Sequence, residues 1–421
     1  MDTQNKRIVI CCDGTWNTPE NPTNVVKVVR SIKPIGADGK HQVVFYDQGV
    51  GTYNAIDRVI GGVFGKGVEQ NVLDAYRFIV HNYQTGDEIY CFGFSRGAYT
   101  ARALGGMMHA IGLLPKEELE SLPTAYKYYR TDPQKRDQQT YSHNIKPDIK
   151  LMAVWDTVGS LGAPTPILRR FTKSLVGFFD TLLSPEIKNA YHALAIDEKR
   201  SPFQPALWTG EINSDQNVEQ TWFAGAHSDV GGGYQESGLA DTALIWMVHK
   251  SRLLGLDFSD EYLTNTDKVH SDITGKLHDS YSLPYRLMEK AGAKSGLRQL
   301  KGELNNPPIN ISVHESVIQR IAQVEDYNPV NFVDSLPVSR TDEQRRYSRS
   351  KTTHLHGAVQ TDKESVECEI LDYSPLGGVL VQCDKALEKS DSIAISSPRF
   401  AKTLATCVWQ KGNNYGLQFA A

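Results

Sequence analysis

The chain has 421 residues, long enough for two or three domains, with 40% hydrophobic and 22% charged residues, which places it among ordinary globular proteins. A net charge of −4 speaks against a surface that coats DNA or RNA. No apolar run approaches the roughly 18 residues of a membrane-spanning helix, and the polar start, Met1 to Arg7, predicts no signal peptide. The six cysteines lack zinc-ligand or disulfide-framework spacing and read as reduced, buried thiols of a cytoplasmic protein.

Arg7 to Cys12 is a short continuous apolar run, the mark of a central parallel strand, and ends in Asp13-Gly14-Thr15-Trp16-Asn17. His41 to Asp47 predicts a second strand. Glycines 61, 62, 65 and 67 follow no strand and lack the Lys-Ser/Thr of a phosphate-binding loop, so they read as a loop before an amphipathic helix, Val68 to Tyr83. Asp87 to Phe92 is a buried-type strand that runs straight into Gly93-Phe94-Ser95-Arg96-Gly97, and a small-residue helix, Ala98 to Ala110, follows. In that context Gly-X-Ser-X-Gly is a nucleophile elbow: glycines relieve clashes at a sharp turn, and the hydroxyl is exposed above a helix amino terminus.

Residues 113 to 147 are polar and read as a surface excursion. Ile149 to Trp155 predicts another strand, ending in Asp156. Ile167 to Leu183, with Arg169, Arg170 and Lys173, reads as a cap helix over the site; peripheral contact with an anionic membrane is the competing reading. Trp222 to Ala226 predicts a fifth strand, followed by His227-Ser228-Asp229-Val230-Gly231-Gly232-Gly233-Tyr234. Gly238 to Leu254 is helical, 258 to 310 loop-rich, and Val313-His314-Glu315 opens a last short helix. This alternation predicts an α/β fold, a doubly wound, mostly parallel sheet over residues 1–330. A linker, 331–339, precedes an all-β region over 340–421.

A serine needs a base, and the base an orienting acid. The order Ser, Asp, His favours Ser95, Asp229 and His314; Ser95, Asp156 and His227 are the alternative set. Any single post-strand aspartate can equally be a helix or turn cap. The oxyanion hole is expected from the Arg96 N–H and from Gly14 or Thr15, with Asp13 bracing its own loop. Catalysis is expected to need no cofactor, and convergence of Asp13, Asp156 and Asp229 on a metal is disfavoured because no histidine or cysteine spacing supports it.

The motifs Cys12-Asp13-Gly14-Thr15-Trp16-Asn17, Gly93 to Ala98, Val154-Trp155-Asp156-Thr157-Val158-Gly159, Ala193 to Glu198 and Gly225 to Tyr234 together resemble the DUF2235 family over residues 5 to 330. Its members are α/β-hydrolase domains akin to Tle1-type phospholipase effectors. The resemblance implies a Ser-Asp-His hydrolase acting on ester or lipid substrates. Over residues 340 to 421, the arm Arg345-Arg346-Tyr347-Ser348-Arg349, the turn Asp372-Tyr373-Ser374-Pro375-Leu376-Gly377-Gly378 and the closing Cys407-Val408-Trp409 resemble a PilZ domain. That resemblance implies a six-stranded barrel and cyclic di-GMP as a regulatory ligand, held by Arg345, Arg346, Arg349, Asp372, Ser374, Gly377 and Gly378. Guanidinium groups fork onto phosphate and onto the guanine O6/N7 edge, which suits such an arm. The expected function is a serine hydrolase regulated by cyclic di-GMP. The alternative is a non-catalytic receptor that uses the hydrolase fold as a docking platform.

Overall fold

The computed structural model describes residues 5–14, 20–49, 61–158, 181–281, 296–302, 305–341, 350–361, 365–374, 378–383, 393–397 and 400–419. The chain divides into two compact units, Met1–Ile212 with Val218–Glu343, and Gln344–Ala421 with the short segment Asn213–Asn217.

In the first unit, β1 (Arg7–Cys12), β2 (Gln42–Asp47), β3 (Glu88–Phe94), β4 (Ile149–Trp155), β5 (Asn189–Ala195), β6 (Asn217–Phe223), β7 (Ile311–His314) and β8 (Val338–Ser339) form one sheet in the order β2-β1-β3-β4-β5-β6-β7-β8. Neighbours run parallel, including β2 against β1 and β1 against β3. Such strands are covered on both faces, which explains the unbroken apolar runs. Side chains alternate between the faces: Ile8, Ile10 and Cys12 pack toward α2 (Gly61–Asn82) and α3 (Arg96–Ile111), while Val9 and Cys11 pack toward α1 (Asn24–Ser31) and the helix Gly238–Leu253. Trp155, Trp222 and Trp246 are completely buried; each removes roughly 200 Å2 from water, a gross gain on the order of 5 kcal/mol.

Several elements differ from the sequence reading, among them Val338–Ser339 of the expected linker 331–339, which pairs with β7 as the edge strand of the sheet. The helix begins at Gly61 rather than Val68, so glycines 61, 62, 65 and 67 are helical. Extending an existing helix costs each glycine only about 1 kcal/mol, far less than nucleating one. Asn189–Ala195 is a fully buried central strand that the sequence reading passed over; its Asn, Tyr and His interrupt the apolar signal. The cap helix expected over Ile167 to Leu183 falls almost entirely outside the described residues.

Chain order and sheet order diverge around β1: the chain steps outward to β2 and then returns to the other side of β1 for β3. In open α/β sheets this reversal opens a crevice at the carboxyl ends of the two strands. Asp13 follows β1 and Ser95 follows β3, so both stand at that crevice.

The second unit is a closed antiparallel barrel of β9 (Ser350–Gln360), β10 (Ser365–Ser374), β11 (Gly378–Cys383), β12 (Ile393–Ser397), β13 (Phe400–Lys411) and β14 (Asn414–Phe419), ordered β10-β11-β14-β13-β12-β9. Alternate residues, among them Val359, Ile370, Val379, Val381, Ile395 and Leu417, fill its interior. A two-residue turn with Gly412 at φ 60° joins β13 to β14, the backbone a tight hairpin requires. Cys368 and Cys383 face each other across β10 and β11, and all six cysteines are free. Among the described residues no helix is long and apolar enough to cross a membrane.

Candidate active site

Ser95 sits between β3 and α3 with φ 56° and ψ −117°, backbone that a non-glycine residue adopts only under strain of about 1–3 kcal/mol. Its neighbours make the turn possible. A Cβ on Gly93 would lie 2.5 Å from the Ala98 Cα, and one on Gly97 would lie 2.0 Å from the Cys12 carbonyl oxygen. Only glycine therefore lets α3 start directly against β1. The first turn of α3, opened by Arg96, aims backbone N–H groups at the space above Ser95.

Three side chains from three strand ends meet there. His227 Nε2 lies 2.8 Å from Ser95 Oγ, and His227 Nδ1 lies 2.6 Å from Asp156 Oδ2. Asp156 leaves β4 with φ 41°, and Asp156 and His227 are almost wholly buried. Burial pushes the Asp156 carboxyl up, but the Arg298 guanidinium and the bonds from His227 and Arg298 outweigh it and hold it well below the usual carboxylate range. Arg298 forks onto both oxygens, at 2.6 and 2.9 Å, and the Ala195 N–H adds a third donor at 3.0 Å. The imidazole is gripped between Phe94 and Phe203, with ring centroids at 4.8 and 5.1 Å. Below it, the His227 N–H donates to Glu198, 3.2 Å away. Burial drives Glu198 up as well, yet its bonds with Arg200 win and lower it.

The turn at Asp156 has its own support. The Thr157 N–H donates to His192 Nε2 at 3.0 Å, and burial pushes the His192 imidazole down to about 3, so it accepts this bond in the neutral form.

The favoured set of Ser95, Asp229 and His314 is not brought together. Both ring nitrogens of His314 are engaged elsewhere, Nδ1 with Ser316 Oγ at 2.8 Å and Nε2 with Thr341 Oγ1 at 3.0 Å, and the ring stacks on Phe223. Asp229 pairs with His278 Nδ1 at 2.5 Å and accepts the Ala226 N–H at 3.0 Å, so it caps the helix His227–Gly231. The alternative set of Ser95, Asp156 and His227 is the one in contact. Asp229 and His227 follow the same strand, β6, but are turned differently: the His227 ring reaches Ser95, while the Asp229 carboxylate is bonded to His278 and the Ala226 N–H.

Of the expected oxyanion donors, the Gly14 N–H donates to Asp13 Oδ1 at 2.7 Å, which commits it to its own loop. Thr15 lies outside the described residues, and Arg96 stands at the helix start as expected. Asp13 braces the first loop through Gly14, Thr23 and Tyr46. Burial nevertheless raises its carboxyl to about 6 against those bonds. Arg298, Phe203 and Arg200 escaped the sequence reading: a lone arginine in a loop-rich stretch carries no motif.

In the barrel, Arg345, Arg346, Arg349 and Gly377 lie outside the described residues. Asp372 follows a bulge in β10, and Ser374 at its end stands opposite Gly378 at the start of β11.

A relay of this kind can move a proton from a hydroxyl to an imidazole beside a fixed carboxylate, the chemistry of acyl transfer. The family model "T6SS, Phospholipase effector Tle1-like, catalytic domain" matches residues 6–250. An uncharacterized protein of Saccharomyces cerevisiae is 28% identical over 234 residues, covering 48% of this chain and 33% of that protein. Among solved structures, an uncharacterized protein from Pseudomonas aeruginosa aligns at 16% identity and a TM-score of 0.40, covering 69% of this chain and 51% of that one. The Tle1 effector bound to the VgrG spike of the type 6 secretion system aligns at 18% identity and 0.33, covering 55% and 51%. The chain thus spans a third of the yeast relative and about half of each solved chain.

Proposed function

The chain belongs to the Tle1-like phospholipase effector catalytic-domain family, and on that premise we propose that its first unit is a serine hydrolase of carboxylic and phospholipid acyl esters. The hydrogen-bonded line from Ser95 through His227 to Asp156, set on a strained elbow, carries this reading. Ser95 Oγ attacks the ester carbonyl carbon while His227 Nε2 takes its proton, and Asp156 stabilises the imidazolium that forms. The oxyanion develops over the amino terminus of α3. Collapse returns the proton to the leaving alcohol and leaves an acyl group on Ser95, which water, deprotonated by His227, then removes. Ser95→Ala is expected to lose p-nitrophenyl ester turnover by at least about 10^3-fold while keeping its fold; full activity in that variant refutes the assignment.

For the second unit we propose cyclic di-GMP binding that regulates the hydrolase. Its support is a closed six-stranded antiparallel barrel with Asp372 beside a bulge and Ser374 facing Gly378, together with the Arg345 to Arg349 arm in the sequence. Calorimetry with Arg345→Ala/Arg349→Ala tests it: binding is expected to vanish, and unchanged affinity excludes the site.

A further inference from the structure

Arg298 is completely buried, and its two terminal nitrogens make four bonds. Nη1 donates to Asp156 Oδ1 at 2.6 Å and to the Ala195 carbonyl at 2.7 Å; Nη2 donates to Asp156 Oδ2 at 2.9 Å and to the Phe203 carbonyl at 2.5 Å. One planar fork thus ties the acid, the end of β5, and the backbone of the aromatic residue that lies edge-on to the His227 ring. The segment carrying it is fastened on either side. The Gly296 carbonyl accepts from Gln204 at 2.7 Å, the Arg298 carbonyl from Asn331 at 3.1 Å, and the Leu300 carbonyl from Trp222 at 3.1 Å. Gly296 also lies flat on the Lys199 backbone, where a Cβ would approach to 1.8 Å.

Arg7 and Arg320 are buried as well, but only Arg298 is desolvated against the carboxylate bonded to the His227 ring. Desolvating both ions costs several kcal/mol each unless hydrogen bonds offset it; Nη1 and Nη2 supply four such bonds, while the buried Nε–H is left without a partner among the described residues. Resting on the hydrolase reading above, we infer that Arg298 is a positioning residue: it keeps Asp156 ionised and aimed at His227 Nδ1, and it fixes Phe203 against the imidazole.

The groups facing Asp156 define what its removal would do. They are Arg298, His227 from the loop after β6, and the neutral His192 of β5 beneath Thr157, with Glu198 one shell away under the His227 N–H. Without the guanidinium, burial acts on Asp156 opposed chiefly by His227, and the carboxyl takes up its proton at higher pH. A protonated Asp156 no longer supports the imidazolium, so turnover disappears at the acid end of the pH range.

The test compares Arg298→Met and Arg298→Lys in the full chain, with p-nitrophenyl butyrate turnover measured across pH and folding followed by circular dichroism. In Arg298→Met the acid limb of kcat/KM is expected to move up by about one pH unit or more, with kcat down about 10- to 100-fold and KM within threefold. Arg298→Lys keeps the charge but not the fork, so its limb stays near that of wild type while kcat falls. A folded Arg298→Met with the wild-type limb and kcat overturns the inference. If the methionine variant does not fold, Arg298→Lys decides, and wild-type kcat in it is equally fatal. Carbon-13 NMR of the Asp156 carboxyl reads the same charge without turnover. An inactive wild type whose Asp156 still titrates higher in Arg298→Met sinks the hydrolase reading and leaves the arginine's effect on Asp156 standing.

Discussion

Gly231 lies flat against the ring of Phe94: a Cβ at position 231 would come within 1.9 Å of Phe94 Cε2. Phe94 immediately precedes Ser95, and Gly231 closes the short helix that His227 opens. The close approach of the His227 helix to Phe94 therefore requires that position 231 carry no side chain.

Gly231→Ala is expected to push that helix off Phe94 and lengthen the Ser95 to His227 contact. Overpacking of this kind costs about 1–3 kcal/mol of stability, and a misplacement near 1 Å costs about 10^2-fold in kcat. Steady-state kinetics with a thermal melt check both. Wild-type kcat in a folded Gly231→Ala would show that the contact does not set the geometry.

The His227 helix is held from its other side by Asp229, which bonds the Ala226 N–H and the His278 ring, and Tyr234 stacks on His278 at 3.9 Å. His278→Ala removes the partner of a buried carboxylate, so a loss of about 1–3 kcal/mol is expected. Fluorophosphonate labelling of Ser95 is expected to persist, because the His227 ring is bonded to Asp156 and not to Asp229. Loss of labelling without loss of fold contradicts that division of roles.

Asp13 gives a pH signature of opposite sense to that of Asp156. Burial raises its folded carboxyl to about 6 from the ordinary aspartate value of about 3.9, so between about pH 4 and 6 the folded state binds more protons than the unfolded one. Its contribution is present below pH 4 and declines as pH rises through 6, by roughly 2–3 kcal/mol in all. Urea titrations of wild type and Asp13→Asn are expected to differ in slope across that window, with the variant lacking the decline. Parallel curves would rule this out.

The elbow at Ser95 was legible because its signals are local: an apolar strand, two obligatory glycines and a small-residue helix lie within about two dozen consecutive residues. Its partners were not, because triad membership depends on which strand ends are neighbours. The polar residues Asn189, Tyr191 and His192 hid β5, so the order of neighbouring strand ends stayed open, and chain order alone favoured Asp229 with His314 over Asp156 with His227. His227 and Asp229 stand two residues apart, and each takes a partner from elsewhere, Asp156 and His278. Arg298 could not have been found, since a buried arginine has the same local signature as an exposed one. Asp13 as a loop brace was readable, because a post-strand aspartate beside glycine has backbone N–H groups within reach.

The central claim is that Ser95 is activated by His227 and Asp156, and fluorophosphonate labelling with mass-spectrometric localisation in the full chain addresses it most directly. Wild type and His314→Gln are predicted to label at Ser95, whereas His227→Ala and Asp156→Asn, folded by circular dichroism, label at least about 10^2-fold more slowly. Labelling that survives in His227→Ala and is lost in His314→Gln would contradict the account.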